Sequence, residues 1–179
     1  QILVMMVAVV LVGCSKDTPE TSQAAEAQVA SKPTPEPVSP ADENLIADPV
    51  VEKAVRKELE KPEGRITEAD FEKITILYLG NTKTTDEGLK EVAKLKKLTT
   101  LQLSNNQITD AGLKELVKLQ KLTHLSLANT KITDAGLKEV AKLQKLVVLR
   151  LDNTQVTEAG VAELKKELPN CNIRSNPTK

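Results

Sequence analysis

Apolar residues recur along residues 74–169 with a period of 24 positions. The segment that starts at Leu98 reads LTTLQLSNNQITDAGLKELVKLQK, and the segment that starts at Leu122 reads LTHLSLANTKITDAGLKEVAKLQK; they are identical at 17 of 24 positions. Related segments start at Ile74 and at Leu146. Self-similarity at such a period indicates a solenoid, in which each repeat is one supersecondary unit stacked on its neighbours. We therefore expect four stacked repeats.

Within a repeat, the pattern predicts one strand followed by one helix. Leu101 and Leu103 alternate with polar residues, as in a strand with one buried face, and Leu113 and Leu116 then recur at helical spacing. The core must be aliphatic, because the chain has one Phe, one Tyr and no Trp.

The start of each helix is marked by a Thr-Asp or Thr-Glu pair. Thr109 and Thr133 stand where an N-cap side chain would accept a hydrogen bond from a backbone amide, and Asp110 and Asp134 suit the positive end of the helix dipole. One glycine per repeat follows inside the first turn, although glycine costs about 1 kcal/mol there relative to alanine. This predicts close packing of neighbouring backbone. The four glycines are Gly88, Gly112, Gly136 and Gly160.

The pattern L-x-x-L-x-L-x-x-(N/T)-x-(I/V/T) resembles the leucine-rich repeat. The resemblance implies an α/β solenoid with a concave face lined by strands and helices on the convex side. The ninth position, usually Asn, is Thr in three of the four repeats, so a hydroxyl ladder is expected to replace most of an asparagine ladder. The residues at this position are Thr82, Asn106, Thr130 and Thr154. The residue before each is expected in the turn after the strand, namely Asn81, Asn105, Asn129 and Asn153.

Both ends of the array depart from the repeat, as the terminal units of a solenoid must. Residues 44–73 contain an apolar stripe after Pro49 and then a shortened imitation of the repeat helix, which predicts a helical N-terminal cap. At the other end, the 24-residue step from Leu149 reaches Ile173, so Cys171 and Ile173 are expected to point inward on a last short strand. The repeats and C-terminal cap are assigned to residues 74–173, with residues 174–179 as a tail.

The first residues resemble the export signal of bacterial lipoproteins. An apolar run from Ile2 to Val12 is too short to span a bilayer but suits a signal-peptide core, and LVGC at Leu11–Cys14 resembles a lipobox. The resemblance implies a truncated signal peptide at residues 1–13 and lipidation of Cys14, and Ser15 favours the outer over the inner membrane. The chain as a whole resembles bacterial leucine-rich-repeat lipoproteins of ribonuclease-inhibitor-like fold.

Residues 14–43 form a Pro-, Ala- and Glu-rich segment that follows this signal. Residues 15–43 hold five of the nine prolines, two basic residues and six acidic residues, and they lack large apolar side chains. Such a composition predicts a disordered linker. The net charge of zero for the whole chain therefore conceals an acidic linker and a mildly basic repeat domain.

The strand positions between the leucines are the candidate binding site. Five of the seven differences between the repeats that start at Leu98 and Leu122 fall at or near this face, which suggests a surface that varies while the core stays constant. The resemblance implies that it is the concave recognition surface. Its outward residues are predicted to be Ile76, Tyr78, Thr100, Gln102, His124, Ser126, Val148 and Arg150.

Columns of lysine on the helices offer a different binding surface. Lysines recur at 24-residue intervals in three columns, which predicts parallel basic rows on the convex side that could attract an anionic polymer. The columns are Lys90, Lys114 and Lys138; Lys94, Lys118 and Lys142; and Lys97, Lys121 and Lys145. Glutamates beside these lysines favour a simple solvated face instead. Nucleic acid is not expected as a partner, because no stacking aromatic residues accompany the lysines.

Catalysis is not indicated by the sequence. We find no nucleophile with a base, no paired carboxylates, no metal-spaced Cys/His set and no phosphate loop, so no catalytic residues, metal or cofactor are predicted. The prediction is a monomeric, non-enzymatic scaffold of the bacterial cell envelope, anchored outside the cytoplasm through Cys14. It is expected to bind an unknown protein through its concave face; the alternative is an adhesion module that binds anionic polymer through its convex helices.

Overall fold

The computed structural model describes residues 45–176, so the predicted signal peptide, Cys14 and the predicted linker lie outside the described residues. Strands and helices alternate, and the strands form one parallel sheet in the order β1-β2-β3-β4-β5. In chain order the elements are α1 (Pro49–Glu58), α2 (Glu68–Phe71), β1 (Ile76–Tyr78), α3 (Asp86–Val92), β2 (Thr100–Gln102), α4 (Asp110–Leu116), β3 (His124–Ser126), α5 (Asp134–Val140), β4 (Val148–Arg150), α6 (Glu158–Glu167) and β5 (Asn172–Arg174).

Helix α1 covers the β1 end of the array, as the sequence predicts for an N-terminal cap. It begins at Pro49, whose missing N–H suits the first turn, and the Asp48 side chain accepts hydrogen bonds from Val50 N (2.8 Å) and Val51 N (2.9 Å). Val51 and Val55 are fully buried. The capping helix thus continues the aliphatic core of the repeats.

Successive strands are related by a step of 24 residues. Leu77 pairs with Leu101, Leu101 with Leu125, and Leu125 with Leu149. The last pairing joins Leu149 to Ile173 and confirms the predicted short strand. Strand β5 ends at Arg174, so the predicted boundary between the C-terminal cap and the tail falls inside a strand.

Cys171 lies just before β5 and is 8% exposed. Burial raises the pKa of its thiol above the ordinary value. Cys171 therefore contributes a small apolar side chain to the core, as expected, while Ile173 is only partly buried against it.

The turn after each strand requires a left-handed backbone. Asn81, Asn105, Asn129 and Asn153 have φ values of 61°, 60°, 55° and 56°, a region that asparagine adopts more readily than most residues. This confirms their prediction as turn residues.

The side chain of the residue that follows each turn asparagine forms a hydrogen bond with a backbone carbonyl just after the preceding strand. The hydroxyls of Thr82, Thr130 and Thr154 donate to the carbonyls of Leu79, Leu127 and Leu151 at 2.6–2.8 Å. Asn106 has a longer side chain, and its Nδ2 donates to Leu103 O and also to Leu79 O in the preceding repeat. The predicted threonine hydroxyls therefore form hydrogen bonds within their own repeats, whereas Asn106 links two repeats.

The aspartate at the start of α3, α4 and α5 joins its repeat to the next one. Asp110 Oδ1 accepts from the backbone N–H of Thr133 (2.9 Å), and Asp110 Oδ2 accepts from the Thr133 hydroxyl (2.6 Å). Asp86 binds Thr109, and Asp134 binds Thr157, in the same way. The sequence predicted only a dipole role for these carboxylates, because a contact 23 residues away is not visible in local spacing.

Candidate protein-binding face

The sheet register places outward side chains in rows that run across the strands. Parallel pairing without offset puts Ile76, Thr100, His124 and Val148 in one row, which continues to Asn172. The second row contains Tyr78, Gln102, Ser126, Arg150 and Arg174. We call these two rows, together with Ser104 and Asp152 just beyond β2 and β4, the strand face.

Seven of the eight predicted residues leave much of their side chain accessible. Tyr78 is 51% exposed and Ile76 is 38% exposed, which makes them two of the three exposed large apolar residues in the described part of the chain. Gln102, His124 and Arg150 are exposed, while Thr100 and Val148 are half-buried.

Ser126 differs from its prediction as an exposed contact residue, because it is only 6% exposed. Its register neighbours on either side are Gln102 and Arg150, and both are far longer. Its hydroxyl lies 2.8 Å from the Ser104 hydroxyl. The short side chain of Ser126 therefore lies below the longer side chains of Gln102 and Arg150, and it forms the floor of a depression in the strand face.

A hollow of about 130 Å³ lies above this floor. Besides Leu101 and Leu125 of the buried ladder, it is lined by six of the predicted residues: Thr100, Gln102, His124, Ser126, Val148 and Arg150. Ile76 and Tyr78 lie outside the hollow, on β1. The strand face thus has an exposed apolar end and, beside it, a hollow lined by both apolar and polar side chains.

Two arginines and one aspartate form the opposite end of the strand face. Arg150 Nε lies 3.5 Å from Asp152 Oδ2, and Arg174 Nε lies 3.4 Å from Asp152 Oδ1. Asp152 Oδ2 is buried and has no hydrogen-bond partner within residues 45–176. One carboxylate is therefore shared between two guanidinium groups at distances longer than a good hydrogen bond.

Sequence reasoning missed Arg174 and Asp152. The signal was available, because the 24-residue step that places Ile173 beside Leu149 also places Arg174 beside Arg150. Arg174 was assigned to the tail instead. Asp152 occupies the position of Ser104 and Ala128, which looks like loop variation until the pairing of the strands is known.

His124 has no partner that would make it a catalytic base. Its Nδ1 lies 2.9 Å from the hydroxyl of the adjacent Thr123, and no ion pair joins the ring to an acidic side chain of residues 45–176. Over residues 45–176, no group of three or more His, Cys, Asp or Glu side chains could hold a metal ion. The chemistry open to this face is hydrogen bonding, ion pairing and apolar contact.

The helix face carries the predicted lysine rows, but many of these lysines are paired. Lys118 and Lys142 lie 2.6 Å from Glu115 and Glu139 on the same helices, and Lys90 lies 2.6 Å from Glu87. The hydrogen bond with Lys118 lowers the pKa of Glu115, and the hydrogen bond with Glu87 raises the pKa of Lys90. Pairing at i, i+3 intersperses negative charge along the rows, so the face is not a continuous basic surface.

Comparison with known proteins agrees with the repeat structure. The leucine rich repeat family model matches residues 72–132 and 96–156. Together with the parallel strands and alternating helices, this match supports a leucine-rich-repeat-like solenoid fold over residues 72–156. Leucine-rich repeats generally serve as protein-interaction scaffolds and are typically not enzymes. No curated protein sequence shows significant similarity to the chain.

Three solved structures are among those similar to this chain. An internalin C2 from Listeria monocytogenes has a TM-score of 0.41 and 21% identity, over 75% of this chain and 88% of that one. A leucine-rich-repeat protein from Leptospira interrogans has a TM-score of 0.39 and 33% identity, over 47% of this chain and 21% of that one. An internalin from Listeria monocytogenes has a TM-score of 0.34 and 14% identity, over 75% of this chain and 65% of that one. At TM-scores below 0.5, these similarities do not indicate what the chain binds.

Within residues 45–176, no helix combines the length and the apolar character needed to cross a membrane.

Proposed function

We propose that this chain is a non-enzymatic interaction scaffold that binds a protein partner through its strand face. The observation that carries the proposal is the composition of that face: exposed Tyr78 and Ile76 at one end, Arg150 and Arg174 at the other, and a hollow between them. Tyrosine and arginine are enriched among the residues that dominate binding energy at protein interfaces.

The size of the face sets an expectation for affinity. Five strands at a spacing of about 4.8 Å give rows roughly 19 Å long. A stable protein interface usually buries about 800 Å² on each partner, which a patch of this length reaches only with contributions from its rims. We therefore expect modest affinity from the strand face alone.

Adhesion to an anionic polymer through the helix face is the competing function. The pairs Lys118–Glu115 and Lys142–Glu139 weigh against it, because each glutamate offsets a lysine that the polymer would need. Polymer adhesion would weaken steeply as ionic strength rises. Binding through the strand face would depend chiefly on Tyr78 and Arg150.

Crosslinking in living cells tests which face is used. A photoreactive side chain at Gln102 samples the strand face, and the same side chain at Lys118 is the matched control on the helix face; both positions are exposed. We expect a protein adduct from position 102 and none from position 118. Adducts from position 118 alone would overturn the proposal.

We further propose that the mature protein is anchored by lipid on Cys14 at the extracytoplasmic side of a bacterial envelope. The support is the apolar segment Ile2–Val12, the lipobox-like LVGC at Leu11–Cys14 and the acidic, Pro-rich residues 15–43. Metabolic labelling with an alkyne fatty acid should mark the wild-type protein and the Cys171→Ser control, but not Cys14→Ser. An unlabelled wild-type protein would overturn the anchor.

A further inference from the structure

We infer that the partner of the strand face is an acidic, extended protein segment that places one carboxylate side chain in the hollow above Ser126. This inference rests on the proposed function and adds the chemistry of the ligand. Three features of the described residues carry it: the charge of the face, the shape of the hollow, and the distance from the hollow to the apolar end.

The charge of the strand face favours an anionic ligand. Arg150, Arg174 and Asp152 are the charged residues on it, which leaves one positive charge in excess. Within residues 45–176, neither arginine side chain donates a hydrogen bond, and each approaches Asp152 only at 3.4–3.5 Å. A guanidinium has five N–H donors, so the terminal nitrogens remain available for a carboxylate in the bidentate geometry that arginine favours.

The hollow accommodates a single side chain. Its volume of about 130 Å³ is roughly four times the 30 Å³ that one water molecule occupies in the liquid. Arg150 and Gln102 stand on opposite sides of it, because they flank Ser126 in the sheet register. Both offer N–H donors, and the Ser126–Ser104 hydroxyl pair lies at the floor. Apolar surface predominates in the hollow itself, so the hollow suits the methylene groups of an acidic side chain, while Arg150 and Gln102 at its edges offer donors to the carboxylate.

The apolar end defines a second requirement of the ligand. Tyr78 and Ser126 stand in the same row two strands apart, which corresponds to about 10 Å at the usual strand spacing. An extended chain in the polyproline II conformation advances about 3.1 Å per residue with three residues per turn, so side chains three positions apart lie about 9 Å from each other on the same side. The ligand should therefore carry an apolar side chain about three positions from its acidic one. A single-stranded nucleic acid would be expected to stack on several aromatic side chains, and Tyr78 is the one Phe, Tyr or Trp side chain in the two rows of the strand face.

The probe is a displayed library of random 12-residue peptides, selected on the immobilised full-length chain. Each enriched peptide is synthesised in two forms, one as selected and one with every Asp and Glu replaced by Asn and Gln. Fluorescence anisotropy then gives the dissociation constant for wild-type protein and for Arg150→Gln, Ser126→Leu, Tyr78→Ala and the helix-face control Lys118→Gln. Circular dichroism verifies that each variant is folded.

We expect enriched peptides that contain an acidic residue about three positions from an apolar one. Amide replacement in the peptide and Arg150→Gln in the protein should each raise the dissociation constant about tenfold. When the two changes are combined, the dissociation constant should rise by less than the product of the two single effects, because both remove the same interaction. Ser126→Leu fills the hollow and should reduce binding at least as much. Arg150→Gln changes an exposed side chain, so it remains informative if Ser126→Leu fails to fold. Lys118→Gln should leave binding unchanged.

Two results separate failure of this inference from failure of the proposed function. Peptides that depend on Tyr78 but respond neither to Arg150→Gln nor to amide replacement would overturn the acidic ligand and leave the strand face as the binding site. Peptides sensitive only to Lys118→Gln would overturn both. The inference of an acidic protein segment would also be overturned if no peptide were enriched, or if dextran sulfate bound through Arg150 more tightly than any peptide. Crosslinking from Gln102 would still test the proposed function in either case.

Discussion

Gly136 packs against the carboxylate of Asp110 in the preceding repeat helix. A Cβ at Gly136 would lie 3.0 Å from Asp110 Cγ, nearer still to its Oδ1, and 2.9 Å from Leu113 Cδ1. The same arrangement recurs for Gly112 with Asp86 and for Gly160 with Asp134. Close packing was expected here, but against backbone; the neighbour is the aspartate that also accepts two hydrogen bonds from the next repeat. Glycine is needed because that carboxylate occupies the space of a side chain.

Gly136→Ala should therefore destabilise the fold, although alanine is the better helix former. Overpacking typically costs about 1–3 kcal/mol and the helix preference offsets about 1 kcal/mol of this, so we expect a net loss of up to about 2 kcal/mol in the free energy of unfolding. Gly80→Ala is the matched control, because a Cβ there meets Ser104 O at an ordinary 3.6 Å. Urea denaturation measures both; a Gly136→Ala variant more stable than wild type would contradict the packing argument.

Asp110→Ala should cost about 1–3 kcal/mol of unfolding free energy. It removes the acceptor of both the Thr133 N–H and the Thr133 hydroxyl, and unsatisfied donors in a partly buried position are penalised by about this amount. Asp110→Asn retains one oxygen acceptor and should cost less. Glu163→Gln is the control, since its ion pair with Lys166 is largely exposed and should contribute under about 0.5 kcal/mol. Equal effects of Asp110→Ala and Glu163→Gln would contradict the link between repeats.

The two substitutions should not be additive. Once Asp110 is alanine, the carboxylate that crowds position 136 is gone, so Gly136→Ala in that background should cost less than it does in the wild type. We expect a coupling of at least about 0.5 kcal/mol in a double-mutant cycle measured by urea denaturation. Strict additivity would show that Asp110 is not what excludes a Cβ at position 136.

Stability should decrease in acid through Asp70 in the N-terminal cap. Its carboxylate receives hydrogen bonds from Lys61 Nζ (2.9 Å) and from Thr67 N (3.0 Å), and these, with Lys73, hold the pKa of Asp70 well below its ordinary 3.8. A depressed folded-state pKa means that this stabilisation is fully present above pH 3.8 and is lost as the pH falls below it.

Urea denaturation at pH 6 and at pH 3 should show a smaller difference between wild type and Asp70→Asn at the lower pH. Lys61→Gln removes the strongest of the interactions that lower the pKa and should reduce the pH dependence without abolishing it. A difference between wild type and Asp70→Asn that grows on acidification would contradict the sign of the effect.

Residues that act within one repeat were predictable from the sequence. The alternation around Leu101 and Leu125 indicated the strands. Thr109 and Thr133 cap their helices as expected, with the Thr133 hydroxyl accepting from Ala135 N at 3.2 Å, whereas Thr85 forms no side-chain cap. The turn asparagines also follow from local backbone chemistry, because a left-handed φ restricts the choice of residue. Even the register was implied by the 24-residue step.

Residues that act between repeats were not predictable in this way. Asp110 resembles an ordinary first-turn acid until Thr133 is seen against it, and Ser126 resembles an exposed strand residue until its longer neighbours are placed beside it. The lysine rows likewise looked like a basic surface in the sequence, whereas the structure pairs several of these lysines with glutamates.

The sequence by itself determined the repeat, the order of strand and helix, and the aliphatic core, because each depends on spacing along the chain. Only the tertiary structure decided that Asp110 joins two repeats, that Ser126 lies beneath a hollow, and that Arg174 shares Asp152 with Arg150. These are contacts across 22 to 24 residues, and their geometry depends on side-chain lengths and on how closely the repeats pack.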